Sequence, residues 1–357
     1  MGHVDAAFMD ALVQAASSQL YKFNAQDLAK MAWALATVGH VDAAFMGALA
    51  QAASSQLRSF KPQELANTAW ALATVGHVDA AFTGGFVPAA QLHPQDVANT
   101  AWALAQLGHV DAVFMGALVQ AALSQLRSFQ PQDLANTAWA LATMGHSDAD
   151  FMGALVQAAT LQLLNFNPQN LANTAWALAA LDEQHAGFMG ALIEQACTMD
   201  LNALGLCQLF QSMLWLDTWQ QAAPAVPPQL FTACKKAWLE EVGITRVSCA
   251  QPQVLDAIRQ LPGCSDASSE HQTDDGLFSI DIALPGGNKK LAVEADGPTH
   301  FLSNTPAVPT GATRLRNRLL EARGWRVVSV PVTERDRQVA KGAQAANAYL
   351  SSLDVRV

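Results

Sequence analysis

The stretch Leu65-Ala-Asn-Thr-Ala-Trp-Ala-Leu-Ala73 recurs almost unchanged at 97–105, 134–142 and 171–179. A looser copy with Lys30 and Met31 in place of Asn-Thr occupies 28–36. The tryptophans in these copies, Trp33, Trp70, Trp102, Trp139 and Trp176, are spaced 37, 32, 37 and 37 residues apart. A fixed period of that length marks a repeat array, in which one unit cannot bury its apolar face without its neighbours.

Each unit reads as two helices. In the unit entered at Pro131, the proline suits the first helical position and Asp133 puts negative charge at the helix's positive end. Leu134, Ala138, Leu141 and Ala142 then share one face, and Gly145 stops the helix, as Gly39, Gly76 and Gly108 do in theirs. Asp148 can cap a second helix on which Phe151, Leu155, Ala158 and Ala159 align. Alanine permits close helix approach while one tryptophan per unit supplies bulk, so the five tryptophans are expected in the core, with stacking platforms as the alternative. The third unit is five residues short, and Gly84, Gly85 and Pro88 would break its second helix. Residues 1–9 repeat the middle of a unit, so the sequence reads as opening partway through one, without a capping repeat or transit segment. A degenerate unit at Leu204–Leu216 and the stretch Ala222-Ala-Pro-Ala-Val-Pro-Pro228 give an array over 1–220, a linker over 221–229 and a second domain over 230–357.

Asn67, Asn99, Asn136 and Asn173, each followed by threonine, are the polar residues of an otherwise apolar helix. Two readings stay open: amides facing bases, one unit per nucleotide, or an asparagine ladder that holds adjacent helices in register. Variation at Thr37, Thr74, Gln106, Thr143 and Ala180 is the better place for any base selection. Charge bears on this. Residues 1–230 hold 5 Lys and Arg against 16 Asp and Glu, and residues 231–357 hold 15 against 14. Nucleic-acid binding ordinarily leans on phosphate neutralisation, so the array lacks the usual electrostatic footprint. No apolar run approaches 18 residues, which argues against a membrane span. The five cysteines show no metal-ligand spacing and read as ordinary thiols.

Beyond Pro228 the pattern changes to helices over 229–242 and 253–261, a polar loop over 263–275, strands over 276–284 and 290–295, a basic helix over 313–323, a strand over 325–331 and a helix over 334–351. Asp281 and Glu294 fall side by side on the hairpin, with Asp296 just beyond. Paired carboxylates of this kind can hold Mg²⁺ for phosphodiester cleavage; they can equally hydrogen-bond loop backbone and arginines around the turn at Gly297-Pro298. Arg314, Arg316, Arg318 and Arg323 form the one concentrated basic helix, either a solvated face or a phosphate contact beside Lys289, Lys290 and His300.

The unit Pro-Gln-Asp-Leu-Ala-Asn-Thr-Ala-Trp-Ala-Leu-Ala resembles the octotricopeptide-type repeats of green-algal organelle proteins and the leucine-rich helical region of FAST-kinase-like mitochondrial proteins. The stretches 280–284, 293–301, 311–314 and 324–331 resemble a RAP domain, with its core at 275–335 and a restriction-endonuclease-like order of elements. The resemblance implies an α-solenoid of two-helix repeats followed by a small α/β RAP domain. It further implies binding of single-stranded organellar RNA, in chloroplast or mitochondrion, within processing, stability or translation, with no cofactor and no membrane. RNA contacts are then expected from Lys289, Lys290, His300, Arg314, Arg316 and Arg318, and from the four asparagines. Two alternatives remain. One is an endoribonuclease with Asp281, Glu294 and Asp296 catalytic and Mg²⁺ on Asp281 and Glu294, although nucleases of this core usually carry a lysine where this chain has Asp296. The other is a scaffold for proteins of a ribonucleoprotein complex.

Overall fold

The computed structural model describes residues 6–39, 42–75, 93–108, 112–219, 223–242, 251–261, 263–284, 290–303, 305, 308–341 and 343–353. The chain divides into two compact units, Met1–Leu178 and Ala179–Val357.

The first unit holds helices α1 (Ala6–Ser17), α2 (Ala25–Val38), α3 (Ala43–Ser54), α4 (Pro62–Thr74), α5 (Pro94–Leu107), α6 (Ala112–Leu123), α7 (Pro131–Met144) and α8 (Ala149–Gln162), and most of α9 (Pro168–Leu181). Helices α2, α4, α5 and α7, which carry the repeated nonapeptide, pack side by side in that order. Their ends are set locally. The backbone N–H groups of Lys61 and Gln130 donate to the carboxylates of Glu64 and Asp133 at 2.8 and 2.9 Å, quieting a donor that the first turn leaves unpaired. Gly108 and Gly145 close α5 and α7 at φ 62° and 64°, a left-handed conformation that a side chain would strain. Asp42 and Asp148 cap α3 and α8 by accepting from Phe45 and Phe151, each at 2.9 Å. Leu134, Ala138, Leu141 and Ala142 are fully buried, with Phe151, Leu155 and Ala159 beneath them. Gly76 and the short segment 82–88 lie outside the described residues.

The core expectation for the tryptophans holds only in part: Trp33 is 48% exposed, Trp70, Trp102 and Trp139 are half-buried, with Trp70 and Trp102 packed against the core, and Trp176, at 5%, is enclosed. An asparagine ladder is not seen at three of the four positions. No hydrogen bond joins Asn67, Asn99 and Asn136 among the described residues; instead the amides of Gln56 and Gln162 donate to the carbonyls of Phe23 and Phe129 at 3.1 and 2.9 Å.

The second unit begins with the end of α9 and continues through α10 (Ala186–Ala196), α11 (Ala203–Leu216), α12 (Pro228–Val242), α13 (Gln251–Arg259), α14 (Gly311–Glu321), α15 (Val332–Ala340) and α16 (Ala343–Ser352). Its sheet runs β1 (Ser268–Gln272), β2 (Ser279–Leu284), β3 (Lys290–Glu294), β4 (Trp325–Ser329), with β3 and β4 parallel and the other pairs antiparallel. Ile282, Leu284, Leu291, Val293 and Val330 form a core with Val254 and Ile258 of α13. The polar stretch 263–275 contains strand β1 rather than being all loop: an edge strand is wet along one side, so Ser-Ser-Glu-His-Gln carries little apolar signal. The final helix is two, α15 and α16. The compact division falls earlier than the composition break at 221–229, because Phe210 of α11 stacks on Phe231 and Trp238 of α12 with ring centroids 5.6 and 6.0 Å apart. Among the described residues no helix is long and apolar enough to cross a membrane. Cys197, Cys207, Cys234 and Cys264 are free thiols, and burial pushes Cys234 up to about 12; Cys249 lies outside the described residues.

Candidate nucleic-acid interface

At about 100° per residue, positions i, i+4, i+7 and i+11 of a helix fall within an arc of about 60°. On α4 those positions are Gln63, Asn67, Trp70 and Thr74; on α5, Gln95, Asn99, Trp102 and Gln106; on α7, Gln132, Asn136, Trp139 and Thr143. Burial follows the arc. The glutamines are exposed, and the asparagines and tryptophans are half-buried. Since α2, α4, α5 and α7 stand side by side, these arcs repeat from helix to helix. On α2 the set is Gln26, Lys30, Trp33 and Thr37, all exposed, whereas on α9 Asn173, Trp176 and Ala180 are buried, so accessibility falls along the array. Trp139 and Trp176 sit 6.4 Å apart, tilted by 35°. The hydroxyls of Thr37 and Thr74 bond back to the carbonyls of Trp33 and Trp70 at 2.7 and 2.8 Å. A half-buried indole beside an unbonded amide, repeated, offers the edge of a π-surface for stacking and donors and acceptors for a base edge. The glutamines, which the sequence reading did not single out, and the tryptophans, whose alternative reading was as stacking platforms, are therefore candidate site residues. Their signal was spacing, since Trp70 lies about 140° around the helix from Leu65.

In the second unit the hairpin does bring the carboxylates together. Asp281 Oδ2 accepts the backbone N–H of Ala295 at 2.9 Å. Glu294 is 4% exposed, and its Oε2 accepts Nε and Nη2 of Arg316 at 3.1 and 2.8 Å, while Oε1 has no partner. Arg316 Nη2 also donates to the Ser279 carbonyl at 2.6 Å. Asp296, 3% exposed, faces His300 Nδ1 at 2.8 Å and accepts the Ser329 hydroxyl. Burial pushes Glu294 up to about 7 against the pull of Arg316, with Asp281 and Asp296 pushing further. Burial also raises Asp281. The hydrogen bond that His300 donates to Asp296 raises the pKa of His300. For Arg316 burial acts downward, but Glu294, Asp281 and Asp296 outweigh it and hold the guanidinium charged.

This donor set does not fit a divalent ion. Arg316 supplies the positive charge to Glu294, and oxygens of Asp281 and Asp296 are taken by N–H and O–H donors. Among the described residues no group of three or more His, Cys, Asp and Glu side chains is arranged to ligate a metal. The arrangement braces the Gly297-Pro298 turn. The other cations are mostly engaged too. Lys290 pairs with Asp274 at 2.6 Å and lies over the Trp325 ring. Arg318 donates to the Ala179 carbonyl at 2.7 Å and approaches Asp182 at 3.9 Å. Arg314 Nε reaches the Pro309 carbonyl at 3.2 Å. Arg323 bonds Asp275 at 2.7 Å and stacks on Phe278. His300 remains open, with 44% of its side chain exposed, in a cleft of about 250 Å³ with Arg316, Trp238 and Gln211. Lys289 lies outside the described residues.

Stacked two-helix repeats followed by a small sheet domain define a helical-repeat protein of the RAP class, and residues 293–353 match the RAP domain. That match begins after Asp281 and runs past the 335 expected from sequence. Residues 1–81 and 88–195 match the N-terminal domain of the Tbc2 translation factor, with the gap at 82–87 falling in the shortened unit. The chain belongs to this translation-factor family. The resemblance to octotricopeptide-type repeats with a RAP domain therefore holds, and the function is RNA-related.

Proposed function

We propose that the protein binds single-stranded organellar RNA, in a chloroplast or mitochondrion, along the exposed arc of its repeat helices. It acts without cutting the RNA, in processing, stability or translation of the transcript within a ribonucleoprotein complex. The observation that carries this is the repetition of a half-buried indole and an amide on adjacent helices, Asn67 with Trp70, Asn99 with Trp102 and Asn136 with Trp139. Stacking and amide contacts need little positive charge, which suits an acidic array. The bonding of Arg316 to Glu294 supports a role without hydrolysis.

The test incubates the whole protein with a labelled pool of single-stranded RNA, with Mg²⁺ or with chelator, and reads retention and length. Retention of intact RNA in both conditions is expected. Shortening that needs Mg²⁺ and disappears in Asp281→Ala would overturn the non-catalytic reading. Neither retention nor shortening would favour a protein scaffold.

A further inference from the structure

Where the first copy of the repeat departs from the others, the structure has a groove. Helix α2 carries Lys30 at the position of Asn67, Asn99, Asn136 and Asn173, and α4 is entered through Lys61 where later units have His93, Gln130 and Asn167. An open groove of about 300 Å³ lies between α2 and α4, lined by Gln26, Lys30, Trp33, Lys61, Gln63 and Asn67, with Ala29 and Glu64 completing it. Trp33 is the most exposed of the five repeat tryptophans. Neither lysine ammonium has an ion-pair or hydrogen-bond partner among the described residues. The one acid present, Glu64, is turned to the start of α4, where it accepts the Lys61 N–H at 2.8 Å and meets the positive end of the helix. Residues 1–230 contain only five Lys and Arg, and two of them line this groove.

An exposed indole, two unpaired ammonium groups and two amides within one nucleotide-sized groove match a base, a phosphate and a base edge. We propose that this groove is the anchoring site of the array for one nucleotide of single-stranded RNA, its base stacked on Trp33 and its phosphate held between Lys30 and Lys61. Gln63 and Asn67 meet the polar edge of the base. The inference rests on the RNA-binding reading and adds to it one unit at which the strand is fixed by charge. At the other arcs only stacking and amides hold it.

The experiment measures binding of the full chain to a labelled single-stranded RNA pool across a salt series, for the natural protein, Trp33→Ala, Lys30→Gln/Lys61→Gln and, as control, Lys22→Gln. All four positions are exposed, and an unchanged thermal melt checks that each variant folds. Trp33→Ala is expected to weaken binding about tenfold. The double lysine variant is expected to weaken it and to flatten the slope of log K against log salt by about 0.7, the share of one single-strand phosphate. Lys22→Gln is expected to bind as the natural protein does. As a readout independent of any variant, RNA carrying 4-thiouridine is crosslinked to the natural protein, and an adduct is expected on the peptide containing Trp33. If the natural protein binds RNA while Trp33→Ala and the lysine variant match it in affinity and slope, or if adducts avoid that peptide, the groove is refuted and the RNA-binding reading stands. If the natural protein binds no RNA, both fall.

Discussion

Replacing Arg316 with leucine removes the counter-charge of Glu294 and leaves an apolar stem of similar length on α14. Glu294 is 4% exposed, and Arg316 supplies both of its hydrogen bonds as well as one to the Ser279 carbonyl. Stripping one partner from a buried pair costs about 3–5 kcal/mol, because the remaining charge is stranded. The loss must also depend on pH. The native pKa of Glu294 is raised from 4.5 to about 7 by burial, so the stability linked to its protonated form is complete below 4.5 and is lost as pH rises through about 7. Arg316 pulls that pKa down; in Arg316→Leu it climbs further, and the variant goes on losing stability above 7 where the natural protein has stopped. At about 1.4 kcal/mol per pH unit, the penalty is expected to be about 1 kcal/mol larger at pH 8 than at pH 5.5. Urea unfolding of the full chain, followed by pulse proteolysis within residues 268–330, reads both values. Arg316→Leu/Glu294→Leu should recover most of the loss, since an apolar pair can replace a buried ion pair. A penalty under about 1 kcal/mol at both pH values, or one larger at pH 5.5, would refute the reasoning.

Two further outcomes follow from the array. Trp176→Ala should destabilise by about 3–5 kcal/mol because its indole is enclosed, whereas half-buried Trp102→Ala should cost less than half of that and weaken RNA binding about tenfold; thermal melts and filter binding check the pair, and the reverse ordering would return the tryptophans to the core. Gln162→Ala removes the bond to the Phe129 carbonyl and should cost about 1 kcal/mol, read as lost amide-exchange protection at the start of α7. No change there would mean that something other than this amide sets the register.

What the sequence made legible was whatever is decided within a turn or two of chain. Asp133 and Asp148 fall where a helix start needs an acceptor, and Gly108 and Gly145 where a helix end needs positive φ. The pairing of Asp281 with Glu294 was legible too, since hairpin register is local. Partners distant in sequence were not. Arg316 sits in a helix that reads as a solvated charge run, and its partner lies 22 residues away on β3. Phe210 gives no sign of the contacts that place α11 with α12. The tryptophans are a different case, because two signals in the sequence conflict. Indole counts as apolar on any hydropathy scale, but the spacing of Trp70 from Leu65, Ala69 and Leu72 puts it off the buried stripe.

The exposed arc also separates holding from choosing. Asn67, Asn99 and Asn136 are identical, as are Trp70, Trp102 and Trp139, and identical groups cannot distinguish one base from the next. A strand lying along the arc would gain the same stacking and amide contacts at each helix, which is affinity without sequence. Discrimination needs a group that changes from unit to unit, and on this arc the last position does: Thr37, Thr74, Gln106, Thr143, Ala180. Of these, Gln106 is exposed and brings a donor and an acceptor, the hydroxyls of Thr37 and Thr74 are committed to their own helices, the hydroxyl of Thr143 is buried, and Ala180 is buried. Whatever base preference the array has should therefore be concentrated at α5. Lys30 and Lys61 would fix the strand at the groove between α2 and α4, and the repeated indoles would hold what lies beside it.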